Sequence, residues 1–440
     1  MARKARLIPK GLMSKIALTR QTYVLAEQVR LPRLKDASNQ PDICAVQFQM
    51  ARPSNMRFLP MDNDIDNLPL GENEVLFVPF RLGANRYITN YSESYIVLDA
   101  GNFVDPRGEQ NTQSFKTAPI WGRCTVYRSN HPDIKPGSTY YSFWPLAAYS
   151  VRKVTNVDSQ GFIGYQDLPN FTGPKEWLKI IKMDNDDASH VIENYEYMKI
   201  GITYARELRD FDYFGAERLV VSSASSASGQ IIAMCLKELN PNFKVVGLTS
   251  ARNLEFVKQF SYFDEVYTYD EIKASPNSNK SLYFDALGWD SVTKDVFDHF
   301  KLSRWWIYGE GADKTFVKYL KKNRRGTFYT NLADSYIYQI RNGITDAEML
   351  DQCRSMIAKY NLDELWYSDL RTISSSQEVF DLYHAFINNT HTGERVVYQS
   401  PLYKNLDKKI SYGIIRIIWK EQNYSSRWCC QTCSQHSWHG

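Results

Sequence analysis

No run of apolar residues in this sequence approaches the ~18 that a membrane-spanning helix needs. No apolar core of a secretory leader stands near its start. Cysteine is scarce and mostly solitary: of seven in 440 residues, Cys44, Cys124, Cys235 and Cys353 lie far apart, while Cys429, Cys430 and Cys433 crowd the end. Such usage excludes a disulfide framework and points to a reducing, cytoplasmic setting. A strong charge of one sign is lacking too. The formal net charge is +4, and the basic cluster Lys321-Lys322-Asn323-Arg324-Arg325 is short. It reads as a solvated face, because a nucleic-acid binder carries a stronger basic stripe. No acid precedes Glu27, whereas Arg3, Lys4, Arg6, Lys10, Lys15 and Arg20 do. Pro9 and Gly11 interrupt any helix there and serine is scarce, so a basic, loosely ordered tail is expected rather than a transit peptide. Internal repeats and low-complexity tracts are missing as well.

What is present is a globular composition, 43% hydrophobic and 23% charged, with 14% aromatics. That suffices for two or three domains, and for a core that also walls a cleft with rings. Residues 1–70 read as an irregular extension. From Glu74 short apolar runs recur between turns: Val75–Phe80, Tyr95–Leu98 and Thr125–Tyr127 are expected strands of a β-rich block reaching about residue 165. The acidic stretch Asp184–Asp187 reads as an exposed loop.

From Glu217 to Gly309 the pattern alternates. Arg218–Ser222, Lys244–Thr249, Glu265–Tyr269, Ser281–Asp285 and Arg304–Gly309 are strand-like. Gly229–Leu239 and Ala251–Phe260 are helix-like between them. Apolar strands separated by helices predict a parallel, doubly wound sheet buried on both faces.

The first of these strands runs into Ser222-Ser223-Ala224-Ser225-Ser226-Ala227-Ser228-Gly229. A strand turning sharply into a helix is what a diphosphate site requires, since small residues let the backbone approach and the helix start offers free N–H groups. Serine is small and its hydroxyl can donate to phosphate. The alternative is an ordinary serine-rich cap and turn. At the end of the second strand an NAD site normally places a carboxylate for the ribose 2′-OH. Here Thr249-Ser250-Ala251-Arg252 stands instead, two hydroxyls and a guanidinium, which suit a 2′-phosphate. The alternative there is Ser250 as a plain helix cap with Arg252 exposed.

These segments resemble the medium-chain dehydrogenase/reductase superfamily, in its zinc-free, quinone-reductase-like branch. The resemblance is carried by Ile202–Ala205, Leu219–Gly229, Gly247–Asn253, Phe263–Tyr269, Phe284–Gly288 and Trp306–Gly309. In the N-terminal half it rests on Ala84-Asn85, Pro119–Gly122 and Lys135–Ser138. It covers about residues 75–165, 197–310 and 375–400, and the Ser-Ala-Ser-Ser turn with Trp121-Gly122 is most like a side family of these reductases. It departs from the pattern at Ser223 and Ser226, where fingerprint glycines are usual, and at Ser138, where an aspartate is.

The resemblance implies an α/β chain: a Rossmann doubly wound parallel sheet over 196–311 and a β-rich GroES-like substrate domain from 71–195 with 312–400, followed by a poorly ordered tail, 401–440. It implies NADP(H) held by Ser223, Ala224, Ser225, Ser226, Gly229, Thr249, Ser250, Arg252 and Tyr269. Asn85, Tyr87 and Tyr91 stand as donors toward the acceptor. The expected reaction is reduction of an activated C=C or a quinone-like carbonyl in a small-molecule substrate, with no nucleic-acid or membrane partner; a homodimer is admitted. Two other readings share the fold: a catalytically silent nucleotide-binding or scaffold protein, and an acyl-chain enoyl reductase working with a carrier protein.

Neither zinc set of the superfamily can be assembled around Cys44 or Cys124. The tail Cys429–His439 lacks a surrounding fold for a structural zinc site. His131, before Pro132, reads as surface, and His299, after Asp298, as an exposed helix position. Trp121 and Trp144 fit a cleft wall or core packing equally.

Overall fold

The computed structural model describes residues 34, 36–49, 52–84, 115–117, 119–164, 179–183, 189, 191–277, 280–286, 290–307, 327–328, 332–367, 370–388, 390 and 395–403. Strands β1 (Cys44–Gln49), β2 (Arg52–Pro60), β3 (Glu74–Ala84), β4 (Phe115–Thr117), β5 (Pro119–Ser129), β6 (Thr139–Pro145), β7 (Ser150–Lys153), β8 (Thr155–Asp158), β9 (Gly161–Ile163) and β10 (Lys179–Met183) come first. Helix α1 (Tyr195–Asp210) then leads into strand β11 (Arg218–Ser222), helix α2 (Ala227–Leu239), strand β12 (Lys244–Thr249), helix α3 (Leu254–Lys258), strand β13 (Glu265–Thr268), strand β14 (Lys280–Asp285), helix α4 (Asp290–His299), and strands β15 (Lys301–Ile307) and β16 (Thr327–Phe328). Helices α5 (Leu332–Asn342), α6 (Asp346–Lys359) and α7 (Leu362–Tyr367), strand β17 (Arg371–Ile373), helix α8 (Ser376–Ile387) and strand β18 (Val396–Tyr398) follow among the described residues.

The parallel sheet has the order β13-β12-β11-β14-β15-β16. The chain starts in the middle, winds outward one way, then crosses back and winds the other. That is the Rossmann order, and it opens a crevice between the ends of β11 and β14. Both faces of β11 are covered. Leu219 and Val221 join one core with α1 and α2, while Val220 joins the other with Val292 and Val296 of α4. Two-sided burial is why the strand reads as a continuous apolar run rather than an alternating one.

The β-rich part is a nine-stranded sheet in the order β17-β18-β3-β5-β6-β10-β9-β8, with β7 also on β3. A three-stranded sheet, β2-β1-β4, contains the pair Cys44–Pro60, inside a stretch expected to be irregular. The pairs Ala45–Leu59, Val46–Phe58 and Phe48–Met56 are apolar, and between them Arg57 Nε donates to the buried Gln47 Oε1 at 2.6 Å.

Residues 312–400 are expected in the β-domain. β17, α8 and β18 join the β-rich part, with β18 paired to β3. Met349, Leu350, Cys353, Met356 and Ile357 of α6, with Leu362 and Trp366 of α7, bury into a core that α1 and α2 share with Trp121, Tyr141 and Phe143 of the β-rich sheet. Arg206 donates to Gln352 Oε1 at 2.7 Å, and Tyr360 to Glu238 at 3.1 Å, tying the same helices together. Trp144 is fully buried against Phe77 and donates to the Gly122 carbonyl, and Trp121 stacks on Phe143, so both tryptophans are core residues. Tyr95–Leu98, Asp184–Asp187 and the tail 404–440 lie outside the described residues.

Candidate functional site

The crevice end of the parallel sheet is where the serine-rich turn sits. β11 ends at Ser222, whose Oγ donates to Asp285 Oδ1 at 2.6 Å, across the gap to β14. Thr293 of α4 donates to the other carboxylate oxygen. Asp285 is fully buried, so these hydroxyls supply hydrogen bonds that solvent cannot. The sequence quotes Asp285 at a strand end without assigning it work; its pairing with Ser222 and Thr293 becomes visible only when the strands lie side by side.

The turn continues through Ser223, whose φ of 52° is left-handed. Glycine adopts that conformation freely, and serine does so at a cost of about 1 kcal/mol or more. The bend that glycine usually makes is therefore kept. Ala224 is fully buried, its N–H donating to the Leu248 carbonyl of β12 at 3.0 Å. Ser226 is the N-cap of α2: its Oγ accepts from the Gly229 N–H at 3.1 Å. A Cβ on Gly229 would lie 2.7 Å from the Ser223 carbonyl oxygen, so the helix start packs against the turn at a distance only glycine allows. The amides of Ser225 and Ala227 have no acceptor among the described residues. Together with the positive end of the 13-residue helix they form an anion-receiving corner.

At the end of β12 the two readings of Ser250 separate. Ser250 precedes a short 3-10 turn, Ala251–Asn253, but its side chain caps nothing. Its Oγ and the Oγ1 of the fully buried Thr249 are both screened from solvent without a hydrogen-bond partner among the described residues. Two such hydroxyls leave hydrogen-bonding capacity that an acceptor entering the crevice would satisfy. Arg252, next to them, is exposed. Asn253, missed as a site residue, donates from Nδ2 to Ser225 Oγ at 3.0 Å and so joins this segment to the serine turn. That hydroxyl, accepting from Asn253, keeps its own proton to donate.

Tyr269 follows β13 and is half-buried. Its hydroxyl reaches the Ser223 backbone rather than standing free at the second strand end. Burial, opposed by that backbone bond and reinforced by the charge of Asp285, pushes it up to about 12. Ser223, Ala224, Ser225, Ser226, Gly229 and Tyr269 thus meet at one corner, with Thr249, Ser250 and Arg252 beside it through Asn253. Asn85, Tyr87 and Tyr91 lie outside the described residues; β3 stops at Ala84, just before them.

The remaining candidates resolve simply. His131 Nδ1 accepts from the Asp133 amide within a turn, and His299, half-buried rather than exposed, bonds the Ser275 carbonyl at 2.8 Å. Cys44, Cys124, Cys235 and Cys353 are buried free thiols, and burial pushes all four up, Cys44 to about 11. Among the described residues no three His, Cys, Asp or Glu side chains converge as metal ligands, and no helix is long and apolar enough to cross a membrane.

A parallel sheet in this order, joined to a β-rich sheet, defines the class: a Rossmann domain with a GroES-like domain, the fold expected from the sequence. Solved structures of that fold superpose on the chain. They include CurA in complex with NADPH from Vibrio vulnificus, at a TM-score of 0.51 and 14% identity, covering 81% of this chain and 98% of that one. The quinone oxidoreductase from Coxiella burnetii superposes at 0.52 and 12% identity over 81% and 98%. The CurF ER cyclopropanase from the curacin A biosynthetic pathway does so at 0.51 and 14% identity over 82% and 100%. Residues 102–317 match the model of a family described as "Protein of unknown function (DUF2855)". No curated protein matches the chain.

Proposed function

We propose that this chain is an NADP(H)-dependent oxidoreductase that works without zinc and reduces an activated C=C or a quinone-like carbonyl. One observation carries the cofactor assignment. Thr249 and Ser250 present two buried, unpartnered hydroxyls beside exposed Arg252, where an NAD site would place a carboxylate. A 2′-phosphate offers acceptors to both hydroxyls and a bidentate partner to the guanidinium. The amides of Ser225 and Ala227 and the Ser225 hydroxyl hold the diphosphate, and Gly229 lets it come close. That CurA, which shares the fold, was solved with NADPH supports the same reading.

When bound, the nicotinamide supplies the hydride. The chain positions it and polarises the acceptor, for which Asn85, Tyr87 and Tyr91 are the donors we assign. The assignment of chemistry without zinc rests on the sequence, where neither zinc set can be assembled around Cys44 or Cys124.

Titration of the protein with NADPH, followed by cofactor fluorescence, tests the assignment: saturation below millimolar is expected, and none at millimolar refutes it. In Arg252→Glu the affinity for NADPH should fall at least tenfold while that for NADH stays within threefold; equal losses remove the 2′-phosphate assignment. A second reading has its own observation: Ser223 keeps a left-handed bend at a cost glycine would spare. A fold that holds the nucleotide but no longer turns over would show binding with no oxidation across a panel of enones and quinones.

A further inference from the structure

Ser225 is held at both ends by side chains that the cofactor assignment does not use. Asn253 Nδ2 donates to its hydroxyl, as described, and Gln230 Nε2 donates to its carbonyl oxygen at 3.2 Å. Gln230 is fully buried in the first turn of α2. A buried amide needs partners at both its ends. The second partner is Tyr262, whose hydroxyl donates to Gln230 Oε1 at 3.3 Å. This bond fixes which way the amide faces, because the Oε1 that accepts from tyrosine cannot also face the Ser225 carbonyl. Tyr262 is itself buried. Trp366 of α7 stands beside its hydroxyl, and Arg395, which precedes β18, lies over the Trp366 ring at 5.6 Å. A continuous buried path therefore runs from the helices after residue 346 to the carbonyl of the residue whose N–H faces the anion corner.

We propose that Gln230, oriented by Tyr262, is a positioning residue for the nucleotide turn. It pins the Ser225 carbonyl inward, so the Ser225 amide and hydroxyl point at the diphosphate before the nucleotide arrives. Helices α6 and α7 thereby set the geometry of a site they do not touch. The inference rests on the NADP(H) reading above. Its cost on binding is that of one buried hydrogen bond whose loss also releases the turn, about tenfold in affinity.

The test is calorimetric titration with NADP+, which tolerates acid, at pH 6 and pH 8. Gln230→Met fills the same space without a donor, and its affinity should be about tenfold weaker than wild type at both pH values. Gln230→Glu supplies a donor only when its carboxyl is protonated, which burial against a carbonyl favours at the lower pH. Its affinity relative to wild type should therefore recover at pH 6 and fall at pH 8, a pH-dependent rescue that a packing role would not produce. Tyr262→Phe keeps the ring and loses the orienting bond, and should weaken binding two- to threefold; it carries the test if the Gln230 variants fail to fold. Variants that bind within a factor of two of wild type at both pH values, with unchanged melting temperatures, overturn the positioning role while the NADP(H) reading stands. A wild-type chain that does not bind NADP+ overturns both.

Discussion

Gly229→Ala is the substitution for which structure and generic expectation disagree in sign. In an exposed helix interior, alanine is favoured over glycine by about 1 kcal/mol. At Gly229 the new Cβ would sit 2.7 Å from the Ser223 carbonyl oxygen and 3.2 Å from Val221 Cγ1. Neither neighbour yields easily. The Ser223 carbonyl already accepts from the Ser226 amide at 2.8 Å, its residue is already in the left-handed region, and Val221 is fully buried. Reaching ordinary van der Waals separation requires the start of α2 to move by about 0.7 Å from the turn. Such overpacking costs about 1–3 kcal/mol. After the propensity gain, a net loss of roughly 1 kcal/mol remains, a fall of about 2–4 °C in melting temperature for a domain of this size. The same displacement carries the Ser225 and Ala227 amides away from the diphosphate, and hydrogen bonds near 2.9 Å weaken steeply over that distance. NADPH affinity should fall at least tenfold. Scanning fluorimetry and fluorescence titration read the two effects separately. A variant that melts higher than wild type and binds NADPH equally well would show that the corner is not tight, and would remove the case for a close backbone approach.

Ser223→Gly relieves the left-handed strain, offset in part by the greater freedom of glycine in the unfolded chain. A gain of about 0.5 kcal/mol with NADPH affinity unchanged is expected, and a drop of more than 2 °C in melting temperature contradicts it. Alkaline pH should act through Tyr269. Its hydroxyl is held at about 12 in the folded chain against about 10 unfolded, so the neutral form is favoured by folding. The contribution is fully present below pH 10 and lost as pH rises from 10 to 12. Tyr269→Phe should flatten the stability profile in that window, measured by urea unfolding with tyrosinate absorbance as a second probe. Superimposable profiles for variant and wild type would remove the buried-hydroxyl assignment.

The parallel sheet was legible because burial on both faces leaves a sequence trace that needs no partner to be read. Leu219–Val221, Val245–Leu248 and Leu282–Phe284 are unbroken runs without a polar group beyond the Tyr283 hydroxyl, and the structure places each strand within a residue of its expected bounds. The amphipathic stretches after residue 330 carry less information. Their periodicity shows that one face is buried but not against what: α6 and α7 pack into a core that α1 and α2 share with Trp121, Tyr141 and Phe143 of the β-rich sheet. The pair β1 and β2 went unread because its short apolar runs, which pair Val46 with Phe58 and Phe48 with Met56, are interrupted by the Gln47–Arg57 pair.

At the site itself the limit of sequence reasoning is the fingerprint. Glycine spacing stands in for two separate physical demands, a left-handed turn and an uncrowded helix start, and here the two have come apart. Ser223 meets the first with strain, while Gly229 meets the second without it. Ser226 takes on a third task, capping α2, which frees no amide for the ligand but fixes where the helix begins. A motif search that scores glycines penalises this turn twice, although only the residue at the helix start is sterically irreplaceable. What the fold demands is clearance at Gly229 and the bend at Ser223. Between them Gln230 holds the Ser225 carbonyl, Asn253 holds the Ser225 hydroxyl and Ser226 caps the helix, bonds that a count of glycines does not score.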